Sequence, residues 1–200
     1  MTERRPAGLR PDAAFVGTLV RVEPLVERHR EGLRAAAADD PGIFRYTSFT
    51  GFEPWFDAAL AGVDEVPFAV LVGGREVGST RFLAIAPEHR RAEIGWTWLW
   101  RPAWGTGANV ETKMLLLEHA FDRCGLRRVE FKTDARNERS RGALLALGAR
   151  FEGIFLKHMI LPTGSRDSAW YAITDDDWPA VKERLQKRLA ERRSNEGIDN

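Results

Sequence analysis

The 200-residue chain carries 30 Lys and Arg against 29 Asp and Glu, a formal net charge of +1. This balance gives no electrostatic case for a nucleic-acid partner, and a single cysteine, Cys124, excludes an intrachain disulfide and any multi-cysteine zinc site. No apolar run reaches the roughly 18 residues of a membrane helix, and the opening MTERRPAGLRPDAA lacks a signal-peptide core, so a cytoplasmic protein with neither membrane nor nucleic-acid partner is expected.

Residues 1–16, rich in Arg and Pro, are expected to be loosely ordered. TLVRVEPL alternates Leu19, Arg21 and Glu23 against Val20 and Val22, the period of a half-buried strand. After Pro24, Leu25, Val26, His29, Leu33 and Ala36 form one helical stripe. The stretch 39–54 reads as a loop whose aromatics line something, and WFDAALAG (55–62) as a short helix. PFAVLV, the Gly73-Gly74 turn and EVGSTRFLAIA form a hairpin, followed by the strand AEIGWTWLW, on which Trp96, Trp98 and Trp100 share a face. A glycine-bearing loop, RPAWGTG, leads into a helix over about 108–124 that closes on Gly125. RRVEFKTD is a strand, NERSRGALLALG a helix, ARFEGIFLKHMIL and SAWYAIT two more strands, and 175–193 a terminal helix. The element order predicts an α/β fold, with a mixed, mostly antiparallel central sheet flanked by helices and a C-terminal helix. One domain over 17–175 is expected, with 176–200 forming the terminal helix and tail.

Gly105 and Gly107 at a helix mouth suit an anion site: unpaired N–H groups point outward, and no Cβ blocks the approach. A plain strand-to-helix turn needing positive φ would leave the same signature. The loop is neither a Walker A motif nor a dinucleotide fingerprint. The four histidines show no metal-ligand spacing, so no metal is expected.

Three motifs carry a resemblance. W-G-x-G heads one helix, N-x-x-S heads the next, and L-G-A-R-F-E-G enters the following strand. With the opening GTLVRVEPL, the chain over about 17–175 resembles the GNAT superfamily of N-acetyltransferases, in particular its RimJ/RimL-like branch. The resemblance implies acetyl-CoA as cosubstrate, with its pyrophosphate gripped by Trp104, Gly105, Thr106, Gly107, Ala108 and Asn109. Arg101, Lys113 or Arg141 would supply charge where this chain has Trp104 in place of the superfamily's Gln or Arg. It implies that Asn137 contacts the pantetheine arm and that Ser140 serves the sulfur as proton donor, while the same three-residue spacing also suits an N-cap. Glu93 in E-I-G is the candidate general base, its alternative being a surface partner of Arg90 or Arg91. A backbone N–H of Trp98, Leu99 or Trp100 is the candidate oxyanion donor. The expected reaction is acetyl transfer to a primary amine, a protein N-terminus or a small molecule, in a ternary complex. The alternative is a non-catalytic acyl-CoA sensor. A homodimer, through the sheet edge or the terminal helix, is left open.

Overall fold

The computed structural model describes residues 8–162 and 164–196. In chain order it contains β1 (Phe15–Val16), β2 (Val20–Pro24), α1 (Arg30–Asp39), α2 (Phe52–Ala61), β3 (Val66–Val72), β4 (Arg75–Ala86), β5 (Arg91–Leu99), α3 (Ala108–Glu118), β6 (Arg128–Asp134), α4 (Glu138–Leu147), β7 (Arg150–Leu161), β8 (Gly164–Thr174) and α5 (Trp178–Glu196). The strands form one sheet in the order β1-β2-β3-β4-β5-β6-β8-β7. Every pairing is antiparallel except β5 with β6.

Local chemistry accounts for most boundaries. Gly73 (φ 57°) and Gly74 (φ 80°) supply the paired positive φ that a two-residue hairpin turn requires. Extended backbone at Val26 (φ −142°) delays α1, which follows a 3₁₀ turn at Glu27–His29. The second helix starts at Phe52, three residues ahead of the expected Trp55. Pro54 fits its first turn, where its missing N–H would have had no helical partner anyway. β8 starts at Gly164, four residues before the expected Ser168, because its extra residues pair with β7.

Two apolar layers sandwich the sheet. One joins α3, α4 and α5 to Phe82, Ile94, Phe131 and Tyr171; the other joins α1 and α2 to Phe44, Ala69, Leu71 and Trp98. Phe56, Phe68, Phe82 and Leu116 are completely buried, and each such side chain contributes about 1.5–3 kcal/mol. Part of the segment expected to be loose is tied down: Leu9 is 4% exposed, and Phe15–Val16 pairs with β2. Leu9 and Phe15 pack on the first layer, an attachment that the Arg and Pro content masks.

Candidate active site

The sheet opens where its only parallel pairing stops. β5 and β6 are in register over just three pairs, Arg91↔Arg128 to Glu93↔Glu130. Beyond them β5 stays with β4, and β6 with β8. The carboxyl ends of two parallel strands thus part to form a fork, and a helix follows each: α3 after β5 and α4 after β6. A crevice at such strand ends, flanked by helix N-termini, is where open α/β sheets bind ligands.

A bulge shapes the β5 arm. Between the pairs Arg81↔Gly95 and Ser79↔Trp98, β5 places Trp96 and Thr97 opposite the single Thr80. Trp96 takes a left-handed conformation (φ 48°) that a bulky residue rarely adopts. The extra residue reverses the alternation, so Ile94 faces the α3 layer while Trp98 enters the α1–α2 layer. Trp96 and Trp100 pack on that second layer too, and Trp100 also reaches the first. Trp100 donates its amide to Val77 O at 2.6 Å. Leu99, in the next position, therefore turns its N–H and C=O toward the fork, and Trp104 Nε1 caps that carbonyl at 2.8 Å.

The glycine loop is built for exposed N–H groups. Gly105 (φ 77°) and Gly107 (φ 99°) are both left-handed, and a Cβ at Gly105 would meet nothing within 4 Å. Thr106 Oγ1 accepts the Ala108 N–H at 3.2 Å, and Glu111 makes the first intrahelical bond, to Gly107 O. The amides of Asn109 and Val110 lie between them in the unpaired first turn, at the positive end of the α3 dipole. Cations surround the loop. Arg139 of α4 stacks 3.7 Å from the Trp104 ring centroid and Arg101 lies 4.9 Å from it, while Arg192 of α5 donates to Gly105 O. Asp40 pairs with Arg101 at 2.6 Å. Lys113, considered in the sequence as a solvated source of phosphate charge, is instead 5% exposed and faces the sheet. Its Nζ meets Thr97 Oγ1 at 2.5 Å and Thr80 Oγ1 at 3.4 Å. Desolvation lowers its pKa to about 7, opposed by the nearby Glu93 charge.

Glu93 sits at the base of the fork. It is 2% exposed, and its Oε2 lies 2.8 Å from Lys132 Nζ as an ion pair without an aligned hydrogen bond. Burial pushes the Glu93 carboxyl above the usual carboxylate range, with Lys132 pulling the other way. Neither arginine offered by the sequence is its partner: Arg91 pairs with Glu130, and Arg90 lies toward Asp175. Lys132 was not singled out in the sequence, because only the parallel register brings it to Glu93.

On the β6 arm, Asn137 Oδ1 caps α4 by accepting the Ser140 N–H at 3.1 Å. Ser140 is half buried at this mouth. Arg141 donates Nε to Tyr171 Oη and Nη1 to Ala135 O, both at 3.1 Å, so two of its five donors hold the fold together. Tyr171, remote in sequence, is thereby brought to α4. The aromatic loop 41–54 and the β7–β8 hairpin meet, as Arg166 Nη1 donates to Tyr46 O at 3.3 Å. Among the described residues no group of three or more His, Cys, Asp or Glu could hold a metal, and no helix is long and apolar enough to cross a membrane.

A forked sheet with two helix N-termini at its mouth and a buried carboxylate at its base defines the acetyltransferase class of folds. Residues 20–150 match the family model of the acetyltransferase (GNAT) domain, and the chain belongs to that family. It is similar to a GCN5-related N-acetyltransferase from Brucella melitensis, with a TM-score of 0.85 and 34% identity over 88% of this chain and 85% of that one. Mycobacterium smegmatis RimJ, solved with CoA-disulfide, shares the fold at a TM-score of 0.78 and 23% identity over 90% of this chain and 96% of that one. The uncharacterized N-acetyltransferase YoaA of Bacillus subtilis (strain 168) is 31% identical over 97 residues, 48% of this chain and 54% of that protein. The match thus spans about half the length of this curated relative.

Proposed function

We propose that this protein transfers an acetyl group from acetyl-CoA to a primary amine within a ternary complex. The observation that carries the reading is the fork itself, with Glu93 buried at its base and unpaired amides at its mouth. The amides of Gly107, Asn109 and Val110, with Gly105 leaving the approach open, hold the pyrophosphate, and Arg139 and Arg192 add positive charge. Asn137 and Ser140 line the opposite wall. Acetyl-CoA supplies an activated thioester carbonyl and a thiolate leaving group. Glu93, whose raised pKa brings it closer to neutrality, takes the proton that the acceptor ammonium must lose. The Leu99 N–H faces the fork and is the donor for the oxyanion. The Ser140 hydroxyl hands a proton to the departing sulfur. The acceptor is a small-molecule amine or a protein N-terminus, and the cytoplasm is the compartment that a single cysteine favours.

Calorimetric titration of acetyl-CoA into the wild type and Gly105→Val tests the first half, with adenosine diphosphate as a control. Gly105→Val adds side-chain bulk on the open side of the loop and strains its left-handed backbone (φ 77°), so at least a ten-fold loss of affinity is expected in a variant that thermal melts show to be folded, and unchanged affinity refutes the loop assignment. An amine screen reading thiol release tests the second half. Tight binding with no turnover on any amine would favour a sensor.

A further inference from the structure

Four buried nitrogen donors without partners gather beside the fork. Arg81 is 4% exposed, and its Nε and Nη2 make no hydrogen bond; neither do Trp55 Nε1 and Trp98 Nε1. The guanidinium carbon of Arg81 lies 5.6 Å from the Trp55 ring centroid and 5.2 Å from that of Trp96, and the Trp55 and Trp98 rings are 5.5 Å apart. Arg81 is not simply a paired structural cation. Glu65 Oε2 takes Nη1 at 2.6 Å, leaving unused the Nε–Nη2 edge, whose two parallel N–H bonds match the two oxygens of a carboxylate. A buried donor left unpaired destabilises the fold, and a ligand acceptor would remove that penalty.

Arg81 and Trp55 line a cleft of about 470 Å³ between α2 and the β4–β5 pair, with Phe49 and Trp96 also among its walls. Asp64 and Glu65 also line it. Asp64 is exposed and screened by water, and Glu65 holds Nη1 through Oε2, so the unpaired buried side-chain atoms of the lining residues, Arg81 Nε and Nη2 and Trp55 Nε1, are all donors. The position is pertinent to acetyl transfer. Arg81 pairs with Gly95, and Gly95 lies against the Glu93 carboxylate: a Cβ there would come within 2.6 Å of Glu93 Oε1. Arg81 and Glu93 thus stand on the same face of adjacent strands, at diagonal positions about 7–8 Å apart. Trp96, half buried in its left-handed conformation at the bulge, holds its ring beside the Arg81 guanidinium and has no partner in the β4–β5 ladder.

We propose that this cleft is the subsite for a carboxylate carried by the acceptor, gripped by the Nε–Nη2 edge of Arg81 with Trp55 Nε1 as a further donor. The acceptor is then an amino-acid-like molecule: its amine lies at Glu93, its carboxylate at Arg81, and an apolar or aromatic body rests against Phe49 and Trp96. This rests on the acetyl-transfer reading for the amine, but the anion site can be tested without turnover. The probe is hippurate (N-benzoylglycine), an amino acid whose N-acyl group is aromatic, compared with its uncharged carboxamide by tryptophan-fluorescence titration, with and without CoA. Hippurate is expected to bind at least ten-fold more tightly than the amide. Arg81→Lys, which keeps the charge and loses the fork, should abolish that preference. Trp55→Phe, which keeps the ring and loses the N–H, should weaken hippurate about three-fold; thermal melts confirm that both variants fold. Equal affinity for the two probes, no hippurate binding, or an unaltered preference in a folded Arg81→Lys overturns the proposal. If hippurate is discriminated but no amine is acetylated, the subsite stands and the acetyl-transfer reading falls.

Discussion

Replacing Lys113 with Met should change how stability depends on pH. The ammonium of Lys113 is 5% exposed under α3, and desolvation lowers its pKa from 10.5 to about 7. Between those two values the unfolded chain holds a proton that the folded chain has released, so the folded state gains stability as pH rises. Below about pH 7 both states are protonated, and the penalty of the buried charge is constant and largest. At ~1.36 kcal/mol per pH unit, the wild type should recover about 3–5 kcal/mol from this residue between pH 7 and pH 10.5. Methionine fills nearly the same volume without a charge, and Thr80 and Thr97 still satisfy one another at 2.8 Å. Urea melts of both proteins at intervals over about pH 7–10 should therefore show Lys113→Met ahead at neutral pH. Its lead should shrink by about 1 kcal/mol per pH unit. Taking the difference between the proteins cancels groups that titrate in both, such as Cys124. A gap that does not vary over this window refutes the buried, neutralised amine.

Two further outcomes follow from the fork. Glu93→Gln should lower kcat by about 100-fold or more on any amine that the screen identifies, while leaving acetyl-CoA affinity within about two-fold. It should also remove the acidic limb of the kcat profile, because the Glu93 pKa is raised and activity must fall as pH drops through it. A variant that keeps that limb would exclude Glu93 as the base. Glu111→Gln tests the anchoring of α3: the carboxylate is 4% exposed and accepts the amides of Thr18, Leu19 and Val20 at 2.7–2.9 Å. An amide sets an NH₂ against one of these donors, and a loss of about 2–4 kcal/mol is expected in urea melts. A change of less than about 0.5 kcal/mol would be incompatible with that geometry.

The sequence made legible those features that depend on neighbours in the chain. Gly73-Gly74, Gly105, Gly107 and Gly125 mark positive φ, and the structure has it at each. The Asn137–Ser140 spacing marks a cap, and the cap forms. Features that depend on strand order did not show. Nothing near Glu93 in the chain points to Lys132, because that contact needs the one parallel register in the sheet. Strict alternation, which puts Trp96, Trp98 and Trp100 on one face, would also put Ile94 there. The bulge at Trp96–Thr97 parts them, and no local composition announces it. Lys113 looked like a surface lysine since its helix is polar at several other turns. Its burial follows from which face of α3 the fork requires.

Lys132 and the buried Lys113 also bear on why Glu93 can act as a base. A carboxylate this buried and alone would rise far in pKa and be protonated at neutral pH, useless for accepting a proton. Lys132 at 2.8 Å restrains that rise, and Lys113 adds a weaker field from the other side of the sheet. Lys113 gives up much of its own charge near neutrality, so its restraint on Glu93 fades as pH rises through about 7. The same desolvation that raises Glu93 lowers Lys113, because each ionised form loses solvation at the fork. Replacing Lys132 should therefore shift the acidic limb upward by more than replacing Lys113. The order follows from the direct ion pair at Lys132, against a purely through-space field at Lys113.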